Sequence, residues 1–108
     1  MELTAHQTSI LDRLRSRGID IVSFPPYANL VGVRKGNCAA LLAPSGADGF
    51  SLQGEPTYLV GDNLSARIVR SDGHYFVRKQ EQIKATPERL AELDRFTAEL
   101  AEALLPVA

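Results

Sequence analysis

Apolar and polar residues alternate on both sides of Asp72-Gly73, the residue pair that most strongly indicates a two-residue hairpin turn. The pattern predicts a β-hairpin in which Ser71 pairs with His74, and the same register carried outward places Arg67 opposite Arg78. Alternate side chains along each strand then share a face. The face predicted to join the core carries Leu64, Ala66, Ile68, Tyr75 and Val77. The opposite face carries Arg67, Val69, His74, Phe76 and Arg78.

A second hairpin is predicted across Gly36-Asn37, a pair that tolerates the positive φ angles of such a turn. Its register places one set of side chains on a face that we expect to be buried: Val31, Val33, Cys38, Ala40 and Leu42. The Cys38 thiol should therefore be an inert core group. On the other face, the small residues Gly32 and Ala39 should leave a shallow hollow beside Arg34.

Helices are predicted at the two ends of the chain. The first begins at a capping box of Thr4 and Gln7 and ends before Gly18, which suits a left-handed cap. The second covers residues 87–105 behind the N-cap Thr86, with Pro at its first position and a long apolar stripe. Its acidic side chains should form a solvated face: Glu92, Glu99 and Glu102.

Short strands and turns fill the remaining segments. A strand over residues 19–24 should stop at Pro25-Pro26, and residues 44–49 should form a surface loop. Two further short strands are predicted over 50–53 and 57–60. The expected fold is a single α+β domain, residues 1–108, with an antiparallel β-meander of about six or seven short strands. An N-terminal and a C-terminal helix should pack on one face of the sheet.

The composition, with 44% hydrophobic and 23% charged residues, is typical of a soluble globular domain. No apolar run approaches the ~20 residues of a membrane-spanning helix, so no membrane association is expected. A lone cysteine cannot form an internal disulfide, and the N-terminus has no leader pattern, which together favour a reducing cytoplasm. The chain has nine arginines and three lysines, a ratio that favours a bacterial source.

The net charge of −1 is unevenly distributed along the chain. Basic residues exceed acidic ones by two over residues 31–80, and acidic residues exceed basic ones by three over residues 81–108. Neither excess approaches the strongly basic footprint of a nucleic-acid-binding protein. Nucleic acid is therefore a partner that the composition allows but does not favour.

No catalytic or metal-binding pattern is recognisable in the sequence. The chain has one cysteine and two histidines, too few for a clustered metal site, and Cys38 and His74 stand beside different predicted turns. The carboxylates Glu55 and Asp62 lie in polar turns, where local backbone hydrogen bonds explain them. We therefore expect no catalytic residue, no metal and no cofactor, and the sequence favours a protein that is not an enzyme.

The predicted arginine face calls for a counter-charge, because like charges directly across a strand pair repel each other. That charge is either a carboxylate of the same chain, such as Glu55, Asp62 or one on a helix, or an external anion bound by the guanidinium groups. The residues predicted to contact such a ligand are Arg34, Arg67, His74, Phe76 and Arg78.

The function favoured by the sequence is a small cytoplasmic binding module that recognises a small anionic ligand or an acidic protein partner. Exposed apolar groups on the arginine face also predict a homodimer. The alternatives are a module for RNA or DNA, resting on basic residues around aromatic ones, and an enzyme acting on an anionic substrate. A pocket joining the arginines to His74 or a carboxylate would favour the enzyme.

Overall fold

The computed structural model describes residues 3–24, 27, 29–46 and 49–104. The helices and strands follow in the order α1 (Ala5–Ser16), β1 (Asp20–Val22), β2 (Val31–Lys35), β3 (Cys38–Ser45), β4 (Gly49–Tyr58), β5 (Ala66–Arg70), β6 (Gly73–Arg78), β7 (Glu81–Lys84) and α2 (Pro87–Ala103). The strands form a four-stranded large sheet, β1-β2-β3-β4, and a three-stranded small sheet, β5-β6-β7. Both sheets are antiparallel, which confirms the predicted α+β class.

The capping box predicted for the first helix is confirmed. Thr4 Oγ1 accepts a hydrogen bond from the Gln7 backbone at 3.1 Å, and Gln7 Oε1 accepts one from the Thr4 backbone at 3.0 Å. The Gln7 amide also donates to the carbonyl oxygens of Gly46 and Gly49, each at 3.1 Å. One buried glutamine therefore starts α1 and ties it to the β3–β4 connection, and Gly18 ends the helix with φ +78°.

The second helix starts as predicted, because Thr86 Oγ1 accepts a hydrogen bond from the Arg89 backbone at 3.2 Å and Pro87 occupies the first turn. One side of α2 is buried through Leu93, Phe96, Leu100 and Ala103. These side chains join α1 and the large sheet in one core. No helix in the described ranges is both long and apolar enough to cross a bilayer.

The acidic face of α2 is not simply solvated, contrary to the prediction. Three of its carboxylates accept hydrogen bonds from other elements: Glu92 from Tyr58 (3.2 Å), Glu99 from Lys35 (2.7 Å) and Glu102 from Arg17 (3.3 Å). The two ion pairs are partly exposed, so each contributes at most about 1 kcal/mol to stability. They set the position of α2 against its neighbours more than they stabilise it.

The hairpin of β2 and β3 has the predicted register, with Val33 opposite Ala40 and Lys35 opposite Cys38 across the turn. Its inner face is buried, and Cys38 has no exposed surface. The hollow predicted at Gly32 is filled: a Cβ atom there would lie 2.7 Å from the Phe24 ring. Gly32 therefore allows an aromatic side chain to cover this face of the sheet.

Strand β4 replaces the two short strands predicted for this segment. Pairing with β3 shifts between Leu41, opposite Gln53, and Ala39, opposite Thr57, so the intervening residues form a bulge in one long strand. Gly54 has φ +74°, the conformation that such a bulge requires. The predicted loop is shorter than expected, because Pro44 already pairs with Phe50. Residues 47 and 48, and Pro25-Pro26, lie outside the described residues.

The predicted register of the central hairpin is wrong by two positions. Arg70 pairs with Gly73, so Ser71-Asp72 forms the turn, and Arg67 lies opposite Phe76 rather than Arg78. Because a shift of two preserves alternation, the same residues share each face as predicted. The side chain that enters the core nevertheless comes from the other face: Phe76 is 1% exposed and stacks on Tyr58, with ring centroids 5.4 Å apart.

The small sheet gains a third strand, β7, that the sequence did not predict. Arg78 pairs with Glu81 across Lys79-Gln80, and Lys79 has φ 53°. The strands of the small sheet contact mainly each other. The Cα radius of gyration is 14.4 Å, larger than the roughly 13 Å of a compact chain of this length, and the described residues form an elongated shape of 46 × 26 × 19 Å.

Candidate functional site

Strand β5 is exposed along its whole length. It forms an edge of the small sheet, and all five of its residues, Ala66 to Arg70, are accessible to solvent. Val69 is 69% exposed and Ile68 38%, both high values for β-branched side chains. An exposed edge strand with apolar residues is a surface on which another strand can pair.

The backbone of β5 offers unpaired groups on its outer side. Arg70 and Gly73 close a two-residue turn and form a hydrogen-bonded pair, and such pairs alternate along an antiparallel ladder. Arg67 and Val69 therefore direct their N–H and C=O groups away from β6. Among the described residues, no strand pairs with this side of β5.

The edge is also basic. Between residues 66 and 84 the chain has five lysines and arginines against two acidic residues. Within the described ranges, Arg67 takes part in none of the salt bridges. Its guanidinium is accessible to an external anion, without competition from a carboxylate bonded to it.

The side chain of Arg70 is held at the turn by an aromatic ring. Its guanidinium carbon lies 5.7 Å from the centroid of Tyr75, within the range of a cation–π contact. Tyr75 Oη donates a hydrogen bond to Asp72 at 2.8 Å, which lowers the pKa of Asp72 and raises the pKa of Tyr75. The ring is thereby fixed under Arg70, and the guanidinium remains at the surface.

Arg34 lies apart from the other predicted site residues, on β2 of the large sheet. Its guanidinium binds Asp62 at 3.0 Å and donates to the carbonyl oxygen of Gly36 at 2.8 Å. Asp62 is one of the internal counter-charges that the sequence suggested. Arg34 is therefore neutralised within the chain, whereas Arg67, His74, Phe76 and Arg78 all lie on the small sheet.

The four predicted residues on the small sheet have different surroundings. His74 is exposed opposite Val69, and its backbone carbonyl accepts a hydrogen bond from Ala85 at 2.9 Å. Phe76 is a core side chain, so the predicted exposed backing of the arginines is wrong at this position. Arg67 on β5 and Arg78 on β6 are not opposite each other, contrary to the predicted register.

Arg78 lines an open cleft of about 490 Å³ at the far end of the small sheet. The other lining residues are Asn63, Lys79, Gln80 and Glu81. The cleft thus joins one arginine, but not Arg34 or Arg67, to a carboxylate, and its lining does not include His74. It can hold an ion or a polar group.

A smaller cleft of about 200 Å³ lies between the β2–β3 turn and α2, with Cys38 among its lining residues. The pKa of the Cys38 thiol is raised to about 11, chiefly by burial and also by the nearby charge of Glu92, while Arg95 acts in the opposite direction. A thiol with this pKa is almost wholly protonated at neutral pH and is a poor nucleophile.

We therefore expect native Cys38 to react with a thiol reagent at mildly alkaline pH at least about a hundredfold more slowly than Cys38 of the unfolded chain. The reason is that a pKa difference of about two units changes the thiolate fraction by about that factor. The absorbance change of the reagent with and without guanidinium chloride gives the two reaction rates. Equal rates in both conditions would show that the thiol is accessible and ionised.

The same pKa predicts a pH dependence of stability. The folded pKa of Cys38 is raised from 9.0 to about 11, so its contribution is complete below pH 9 and is lost as the pH rises toward 11. The free energy of unfolding should fall by up to roughly 2 to 3 kcal/mol over this interval from this group. Cys38→Ala is the control, and its decline over the same interval should be smaller by that amount.

The residues predicted to contact a ligand included Arg67 of this edge but omitted Ile68, Val69 and Arg70, although Arg70 is one of the basic residues behind the nucleic-acid alternative. The spacing of Arg67 and Arg70, with two apolar residues between them and no acidic residue in the strand, was the available signal. No group of three or more potential metal ligands occurs within the described residues. Comparison with protein-family models, curated proteins and solved structures finds no match to this chain.

Proposed function

We propose that this protein is a small binding module that recognises an acidic partner through the basic edge, which we define as β5 with its side chains Arg67, Ile68, Val69 and Arg70. The observation that carries the proposal is that β5 is an edge strand exposed at every residue. A partner strand that carries carboxylates can pair with this edge, cover its apolar side chains and bind its guanidinium groups. The homodimer and the cytoplasmic location predicted from the sequence stay predictions beside this proposal.

The structure favours a protein partner over nucleic acid. Single strands are bound by aromatic side chains on which bases stack. Of the two aromatic residues suggested for that role, Phe76 is buried, and Tyr75 is engaged by Arg70 and Asp72. Charge without a stacking platform suits an acidic peptide surface better.

The proposal predicts that fluorescently labelled polyglutamate binds the protein and that Arg67→Ala/Arg70→Ala weakens binding at least about tenfold, the equivalent of one lost ion pair of ~1.4 kcal/mol. Fluorescence anisotropy at low and physiological ionic strength measures the affinity. The variant should lose no more than about 1 kcal/mol of stability, because neither arginine forms a salt bridge within the described residues and the contact of Arg70 with Tyr75 is at the surface.

The matched control is Arg15→Ala/Arg95→Ala, which removes the same charge from exposed positions on the two helices. This control should bind polyglutamate like the wild type. An equal loss of affinity in both variants would mean that net charge, rather than the basic edge, determines binding. Absence of polyglutamate binding by the wild type would also refute the proposed function.

A further inference from the structure

We infer that the occupant of the basic edge is an extended segment of a partner protein, which pairs with β5 as an added strand and carries acidic residues on either side of two apolar ones. The inference rests on the proposed function and specifies its partner. Its first basis is the backbone: Arg67 and Val69 present outward N–H and C=O groups in the spacing that an added strand would pair with.

The side chains of β5 define the complementary sequence. Arg67 and Arg70 enclose Ile68 and Val69, and residues directly opposite in a strand pair interact most strongly. A partner with the order acidic, apolar, apolar, acidic places a carboxylate beside each guanidinium. It also covers Ile68 and Val69, the two large apolar side chains that are exposed in the small sheet. The pattern reads the same in both directions, so it fits parallel and antiparallel addition alike.

A second copy of the chain is a poor occupant of this edge. Pairing β5 with itself would bring two copies of Arg67 and two of Arg70 into one short ladder that contains no carboxylate. Like charges on neighbouring strands repel. The charge of the edge therefore selects an acidic segment and disfavours self-pairing, a common use of charge on exposed strands.

The test uses labelled peptides of six residues with blocked ends. The first is Thr-Glu-Val-Val-Glu-Thr, and the second, Thr-Glu-Pro-Pro-Glu-Thr, has the same charge but lacks two strand N–H groups and the β-branched side chains. The wild type should bind the first at least about tenfold more tightly than the second. Equal affinities would overturn strand addition and leave the proposed electrostatic recognition standing.

Two variants at one position separate backbone pairing from charge. Val69→Pro removes an outward N–H that makes no bond to β6, so the small sheet should still form, and both arginines are retained. This variant should bind the first and second peptides with equal affinity, because it loses the backbone pairing and keeps both guanidinium groups. Val69→Thr keeps the N–H group and the β-branched shape, and it should retain the preference.

Amide hydrogen exchange in the wild type tests the same point without a substitution. It therefore still tests strand addition in the event that Val69→Pro does not fold. The amides of Arg67 and Val69 should exchange rapidly in the free protein and slow at least about tenfold when the first peptide is bound, whereas the amide of Ile68, bonded to β6, should be slow in both states. Unchanged exchange at Arg67 and Val69 with peptide bound would overturn the inference.

Two further outcomes would reassign the edge. A dimer in sedimentation equilibrium that Val69→Pro dissociates would show that a second copy occupies β5. Tighter binding of an oligothymidylate than of the first peptide, lost in Arg67→Ala/Arg70→Ala, would show that the edge serves nucleic acid. Either result would overturn the acidic strand as the occupant.

Discussion

A chain truncated after Thr86, and thus lacking α2, should fail to fold. The helix supplies three large core side chains, Leu93, Phe96 and Leu100, none more than 6% exposed. Burial of each stabilises the fold by roughly 1.5 to 3 kcal/mol, so their sum is comparable with the whole stability of a typical domain, about 5 to 15 kcal/mol. Circular dichroism during heating should show no cooperative transition.

Two substitutions within α2 calibrate this expectation. Leu100→Ala should lower the free energy of unfolding by about 2 to 5 kcal/mol, because Leu100 has no exposed surface. Asp94→Ala, at an exposed position of the same helix, should change it by less than about 0.5 kcal/mol. A truncated chain that melts cooperatively near the parent temperature would show that α2 is a dispensable appendage.

Phe76→Ala should lower the free energy of unfolding by about 3 to 5 kcal/mol. Phe76 is the fully buried side chain of the small sheet, and its stacking on Tyr58 joins that sheet to the large one. Removing the ring leaves a cavity where the two sheets meet, so β5, β6 and β7 should also lose amide protection. Urea denaturation gives the free energy, and hydrogen exchange gives the local effect.

The control for this prediction is Val69→Ala, on the same face of the small sheet but 69% exposed. It should change stability by less than about 0.5 kcal/mol beyond the small loss of strand propensity. A similar cost for both substitutions would mean that the small sheet is stabilised by its own strands and does not depend on the contact with Tyr58.

The starts of both helices were predictable from the sequence because their signals are local. Thr4 with Gln7, and Thr86 with Pro87, satisfy or remove backbone donors within one turn, so no distant contact is needed. The β2–β3 register was equally accessible, since Gly36-Asn37 fixes the turn and the turn fixes the pairing. Burial of Cys38 followed from that register.

The register of the central hairpin and the side chain that it buries could not be predicted from local signals. Turns at Asp72-Gly73 and at Ser71-Asp72 differ by two in register, and both place the same residues on each face, so alternation cannot choose between them. Which face is buried depends on Tyr58, a residue outside the hairpin. β7 was missed because its turn contains Lys79 in a positive-φ conformation, without the glycine or asparagine that usually marks it.

The α+β class, the helix starts, the β2–β3 pairing and the presence of arginines outside the core can be predicted from the amino-acid sequence. The division into two sheets, the ion pair of Arg34 with Asp62 and the position of β5 at an edge become known only from the fold. The physical reason is that capping, turns and alternation act between residues a few positions apart. Strand neighbours, ion-pair partners and the choice of the side chain that enters the core depend on contacts between distant segments. The periodicity of the sequence carries no information on such contacts.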